Sequence, residues 1–152
     1  METTILTLEF QIEPLAVQSA RFYRAGKKIR SFQPEKVKDF KSFIRYAAKE
    51  QLPDGFVILD GPLSLEADFI FTPPKSLAKK ELKKIKSGGI VYKTTRPDLT
   101  DNLMKAVADA LTGIVWCDDS RICEVKSRKR YGTFPGIILR ISLPAVQPCA
   151  DL

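Results

Sequence analysis

The sequence predicts an α/β (α+β) fold formed as a single compact domain. Segments with the two-residue period of strands alternate with segments of helical spacing, and 152 residues at 44% hydrophobic content can fill one core but hardly two. Residues 1–144 are assigned to this domain and 145–152 to a flexible C-terminal tail. The expected order is β, α, β, a short exposed α, α, β, β.

Residues 4–12 set Ile5, Thr7, Glu9 and Gln11 against Leu6, Leu8, Phe10 and Ile12, the pattern of a half-buried strand that Pro14 ends. Residues 18–30 mix Arg, Lys and aromatics around Gly26 and read as a basic loop or a loose hairpin. Val37, Phe40, Ile44 and Ala47 then recur at helical spacing behind Pro34, which suits a first helical turn, so a helix is expected over 34–51. Pro53, Asp54 and Gly55 break it. A strand over 63–71 puts Leu63, Leu65, Ala67, Phe69 and Phe71 on one face and Glu66 and Asp68 on the other.

Residues 76–86 are lysine-rich, with only Leu77, Leu82 and Ile85 as a thin apolar stripe, and describe an exposed helix closed by Gly88 and Gly89. That helix lies near the active face or is simply solvated. A further helix over 99–111 buries Leu103, Val107, Ala110 and Leu111, with Gly113 as its cap. Beyond a corner at 116–119, two strands over 122–130 and 136–143 are joined through 132–135 in the manner of a hairpin.

Composition narrows the chemistry. The net charge of +7 and a pI near 9.4 attract polyanions such as nucleic acid. No stretch approaches the roughly 20 apolar residues of a membrane span, so no membrane partner and a cytoplasmic location are expected. Cys117, Cys123 and Cys149 lack the paired spacing of a zinc site and suggest no disulfide framework. Histidine is absent, which removes Ser-His and Cys-His catalysis and the usual catalytic zinc sites. Chemistry must run on carboxylates, lysine or hydroxyls; Cys117, without a base partner, is expected to be structural.

The informative stretch is 96–119, RPDLTDNLMKAVADALTGIVWCDD. Asp98 and Asp101 stand three residues apart at a helix start, a spacing that puts both on neighbouring parts of one face, and Lys105 follows one turn along. The plain alternative is a helix cap plus an Asp101–Lys105 pair worth about 0.3–0.5 kcal/mol. The pair Asp118 and Asp119 would join them only if the chain runs back along the helix. Carboxylates so gathered suit Mg²⁺, which prefers oxygen ligands and leaves positions for water and phosphate. Such a site suits phosphodiester hydrolysis without histidine, with Lys105 stabilising developing charge.

Basic side chains flank these acids: Arg21, Arg24, Lys27, Lys28 and Arg30 early in the chain, Lys93 and Arg96 before the aspartates, and Lys126, Arg128, Lys129 and Arg130 after them. They are candidates for phosphate contacts, which bind with little sequence preference. Phe22 and Tyr23, interleaved with arginines, either stack on unpaired bases or pack within a hairpin.

PDLTDNLMKAVADAL, then GIVWCDDSRI, then a basic strand ending KRYG together resemble the RusA family of phage and prophage Holliday junction resolvases. The similarity is strong over about 35 contiguous residues and looser across the opening strand, polar loop and first helix; residues 76–89 have no counterpart. The family's acidic motif most often reads Asp-x-Asp-Asn, whereas here Asp98-Leu99-Thr100-Asp101-Asn102 is one residue longer. The resemblance implies that Asp98, Asp101, Lys105 and Asp119 are catalytic, that Asp98, Asp101, Asp118 and Asp119 supply metal ligands, and that Mg²⁺ or Mn²⁺ is the cofactor. It further implies a mixed or antiparallel sheet with helices on one face. The expected protein is a homodimer that nicks four-way or other branched DNA symmetrically. The alternatives are a branched-DNA-binding protein without activity and a Mg²⁺-dependent phosphotransferase, the latter disfavoured because no Gly-rich phosphate loop is present.

Overall fold

The computed structural model describes residues 3–16, 21–32 and 35–145, parts of 21–32 by backbone alone. Residues 18–20, Pro34, the segment 146–152 and the side chains of Arg21, Phe22, Tyr23 and Arg30 lie outside the described residues.

The opening strand β1 (Thr3–Phe10) buries Leu6, Leu8 and Phe10 as its alternation requires. Of the two readings of the basic segment, the hairpin holds: β2 (Arg21–Ala25) pairs antiparallel with β3 (Lys28–Phe32) around Gly26, whose φ of 65° favours glycine. Helix α1 (Glu35–Gln51) buries Val37, Phe40, Ile44 and Ala48; the expected fourth contact, Ala47, is only half-buried, one residue off the stripe. Strand β4 (Leu63–Phe71), helix α2 (Lys79–Lys86) and the two-residue strand β5 (Val91–Tyr92) follow.

A π-helical turn (Leu99–Met104) leads into α3 (Lys105–Leu111), and a 3₁₀ turn (Asp119–Arg121) leads into β6 (Ile122–Tyr131); β7 (Gly136–Leu143) completes the chain. The main sheet runs β1-β7-β4-β6-β5 and is mixed, with β4 and β6 parallel and the other pairs antiparallel.

One expectation is corrected here. β6 and β7 follow each other in sequence but are not neighbours, because β4 lies between them. The reason is burial: seven of the nine residues of β4 are buried, as suits a central strand with a partner on each edge. The connection 132–135 therefore crosses the end of β4 closely enough to need glycine. A Cβ on Gly132 would sit 2.5 Å from the Ile70 side chain, and one on Gly136 would sit 2.8 Å from the Phe10 carbonyl oxygen.

The residues Val37, Phe40 and Ile44 of α1, Leu103, Val107 and Leu111 of the third helical segment, and the inward side chains of β1, β4 and β7 share one core with Trp116. On the other side of the sheet Thr7, Glu9, Glu66 and Arg140 face solvent, so the helices occupy one face as expected. No helix among the described residues is long and apolar enough to cross a membrane.

Candidate active site

The acidic motif begins where β5 hands over to a loop. Asp98 is extended (ψ 140°) and precedes the π turn; its backbone oxygen accepts from the Leu103 amide at 3.2 Å, the i to i+5 contact that defines such a turn. A π turn houses one residue more than an α turn. The extra residue of the motif is thus absorbed locally, and Lys105 starts α3 in ordinary helical register. Leu103 and Met104 point into the core while Asp98, Thr100, Asp101 and Lys105 stay exposed.

The ion pairs formed among the described residues all lie elsewhere, so Asp101 and Lys105 do not make the i, i+4 bridge, and neither Asp98 nor Asp101 is neutralised by a described base. An open recess of about 570 Å³ is lined by Leu15, Arg96, Pro97, Asp98 and Asn102. Asp101 sits beside it without lining it.

Asp118 and Asp119 do not join this group within one chain. Both aspartates precede β6, and it is β6 that touches the π turn. What β6 delivers to the acidic motif is Lys129, whose Nζ donates to the backbone oxygens of Thr95 (2.6 Å) and Pro97 (2.8 Å). At about 3.3 Å per residue, the run from Ile122 to Lys129 measures roughly 23 Å. The aspartate pair stands at the far end of that run. Among the described residues no three His, Cys, Asp or Glu side chains come together as a metal-binding group.

The far corner has its own organisation. Cys117 donates its amide to the Leu59 oxygen, which brings Asp60 alongside; Asp60 accepts from the Cys117 Sγ at 2.9 Å and from the Arg121 Nε at 3.0 Å. The thiol contact and the guanidinium hold the Asp60 carboxyl below the ordinary carboxylate range. The Ser120 hydroxyl, donating to Asp118, lowers that carboxyl too. Asp60 was missed from the sequence, since only the Leu59–Trp116 bridge makes it a neighbour of 117–121.

The basic residues divide similarly. Arg128 and Arg130 stand on the open face of β6 and both pair with Asp68, a carboxylate only 6% exposed, at 3.1 and 3.0 Å. Asp68 raises the Arg128 pKa, chiefly through the hydrogen bond. Alternation placed Asp68 on the outer face correctly but could not show that two arginines cover it. Lys93 lies 5.3 Å from the ring centre of Phe71 and 5.4 Å from that of Tyr131, and donates to the Thr95 hydroxyl. Arg24, Lys27, Lys28, Arg96 and Lys126 are exposed. The lysine-rich α2 packs against β5, which places it next to the segment that leads into the motif.

Fold and site together define a basic α+β domain with an exposed acidic turn beside cationic side chains, the makings of an enzyme acting on nucleic acid. A family model described as endodeoxyribonuclease RusA matches residues 11–142, and the chain belongs to that family. It is also 32% identical, over 85% of its length and 89% of the relative's, to a Bacillus subtilis (strain 168) protein described as uncharacterized protein YqaN.

Proposed function

We propose that this protein is a structure-selective endodeoxyribonuclease of the cytoplasm that acts as a homodimer on four-way or other branched DNA, making paired symmetric nicks by Mg²⁺-dependent hydrolysis. Mn²⁺ is the expected substitute. The observation that carries the reading is the exposed pair Asp98 and Asp101, unneutralised by any described base and set on one turn beside Arg96 in a chain of this family.

Mg²⁺ is commonly held by one or two protein carboxylates with waters and phosphate oxygens in its remaining positions. Asp98 and Asp101 meet that need; Asp118 and Asp119 of the same chain do not reach it. A bound ion supplies Lewis-acid polarisation of the phosphate and a more acidic water. The protein's part is to position and to neutralise. Arg96, at the mouth of the recess, steers the phosphate, and Lys105, one turn beyond Asp101, places a positive charge where negative charge develops. Arg24, Lys27, Lys28 and Lys126 hold the flanking backbone, with Arg21 and Arg30 assigned to the same task. Arg128 and Arg130 contribute through a pair of guanidiniums already oriented by Asp68.

One feature favours the binding-only alternative: the acidic motif is one residue longer than the Asp-x-Asp-Asn that the family most often carries, and the π turn begins at that point. Incubating a four-way junction and its linear duplex control with wild type and Asp101→Asn distinguishes the two. The nuclease reading requires nicks from the wild type in Mg²⁺ or Mn²⁺, and loss of more than about 100-fold in Asp101→Asn, beyond what a group merely supporting a metal ligand costs. Junction binding by Asp101→Asn should be retained or tightened, because a negative charge near phosphate is removed. Tight junction binding by the wild type with no nicks in either metal leaves the binding protein.

A further inference from the structure

We propose that two copies of this chain pair through the outer edge of β6, antiparallel about Val125, and that this pairing carries the acidic corner of one copy to the loop that leads into Asp98 of the other. The inference deepens the homodimer reading by naming the interface and what crosses it.

The edge is open. On the side away from β4, β5 covers only Tyr131 and Arg130, with the Lys93 amide donating to the Lys129 oxygen; among the described residues no strand pairs with 122–128 there. Cys123, Glu124, Val125 and Lys126 are exposed, Val125 at 51%. An apolar residue on an unpaired edge invites another strand.

The same contact fixes which groups point outward. Because the Lys129 oxygen faces β5, and backbone direction alternates along a strand, Val125 and Ser127 also turn their N–H and C=O to the open side. β6 is regular from Glu124 onward, its irregularity against β4 lying at Cys123. Opposed residues must both direct their backbone groups across the gap, so a two-fold pairing centres on a residue. Centred on Val125, it sets Val125 against the partner's Val125 and Glu124 against the partner's Lys126, an apolar contact flanked by two opposite-charge pairs. Centred on Glu124 or Lys126 it opposes like charges instead, which destabilises a strand pair.

In that register Ile122 of one copy ends opposite Arg128 of the other. Beside Lys129 and Arg130 the strand position is already held by Lys93 and Tyr92, so the partner chain leaves the sheet at its Ile122, and its 3₁₀ turn carries the partner's Asp119 up against Lys93 in place of the roughly 23 Å that separates the two ends within a chain. The surface it approaches is cationic: Lys93, Arg96 and the lysines of α2. The partner's Asp118 and the partner's Asp119 thereby stand beside the loop 93–98.

The test begins with oligomeric state, which does not depend on activity. Sedimentation equilibrium on the full chain should show Glu124→Lys and Lys126→Glu each weakening self-association at least about tenfold, and the double exchange Glu124→Lys with Lys126→Glu restoring it, circular dichroism being unchanged throughout. Singles that dimerise like wild type, a double exchange that fails to recover, or a monomeric wild type overturns the interface. The crossing of the corner is read by mixing. Asp101→Asn and Asp119→Asn, each inactive alone, should recover about one quarter of wild-type nicking after subunit exchange, since half the dimers are mixed and each holds one intact site of two. No recovery, with wild type active and exchange verified by tagged subunits, overturns it. A wild type that dimerises through this edge but never nicks overturns the nuclease reading and leaves the interface standing.

Discussion

The two ends of β6 carry opposite chemistry and are built in opposite ways. At the end near residue 129 the basic side chains are braced: Lys129 by the oxygens of Thr95 and Pro97, Arg130 by Asp68, Lys93 by two aromatic rings. At the end near residue 119 the acids are exposed and lean on a few exposed hydrogen bonds, Asp60 on Cys117 and Arg121, Asp118 on Ser120. Braced cations set the geometry of the neighbouring turn, whereas an exposed acidic corner is available to something outside the chain. The strand's length keeps the two apart, so a sequence that lists Lys93, Asp118, Lys129 and Arg130 within 38 positions does not yet say which of them can act together.

The largest expected effect from disturbing this contrast is at Asp68. Its side chain is 8% exposed and holds two guanidiniums, one 42% and one 22% exposed. Asp68→Ala leaves both without a partner; because each retains contact with water, the cost should be about 1–3 kcal/mol, less than for a fully buried pair. The midpoint of urea unfolding measures it, and a shift below about 0.5 kcal/mol would show that the braced end is not held by this carboxylate.

Next comes the role of Lys129, where bracing and phosphate contact predict different slopes. A lysine on phosphate contributes about 0.9 to the dependence of log binding constant on log salt. Lys129→Met should leave the slope for junction binding unchanged and lower cleavage about tenfold through a weaker apparent Mg²⁺ dependence, since the loop ahead of Asp98 loses its anchor. Arg96→Ala, by contrast, should lower the slope by about 1. If the two variants lose slope equally, Lys129 is an ordinary phosphate contact and its hydrogen bonds to 95 and 97 are incidental.

How far the sequence could be read follows from which contacts are local. Strands β1 and β4 and helix α1 announce themselves because their burial repeats within one element: Leu6, Leu8 and Phe10 at period two, Val37, Phe40 and Ile44 at helical spacing. The placement of β4 between β6 and β7 depends on pairing across more than 50 residues, which no local pattern encodes. β5 is too short to show a period. The acid motif was legible as chemistry, and its extra residue was visible as an extra residue, but that it is housed in a π turn emerges only from the Asp98–Leu103 hydrogen bond. Asp60 and Asp68 were illegible as partners because each meets its arginine, 121 or 128, about 60 residues away.

The smallest expected effect belongs to the exposed corner and tests whether it is organised at all. Asp60 has a carboxyl whose folded pKa is lowered, by the Cys117 thiol first and by Arg121 second. A depressed carboxylate adds stability that is fully present above its unfolded pKa, about 4, and is lost as pH falls through the folded value. The corner should therefore be intact at neutral pH and loosen only in acid, below the range where ordinary carboxylates titrate. Full solvent exposure keeps the contribution to global stability small, so the readout is local: carboxyl carbon chemical shifts of Asp60 followed by NMR against pH. Cys117→Ala and Arg121→Gln should each move that titration up toward the ordinary value. Titration of Asp60 at the ordinary value in the wild type would mean that the corner is merely solvated, and that nothing in a single chain holds Asp118 and Asp119 ready for a second one.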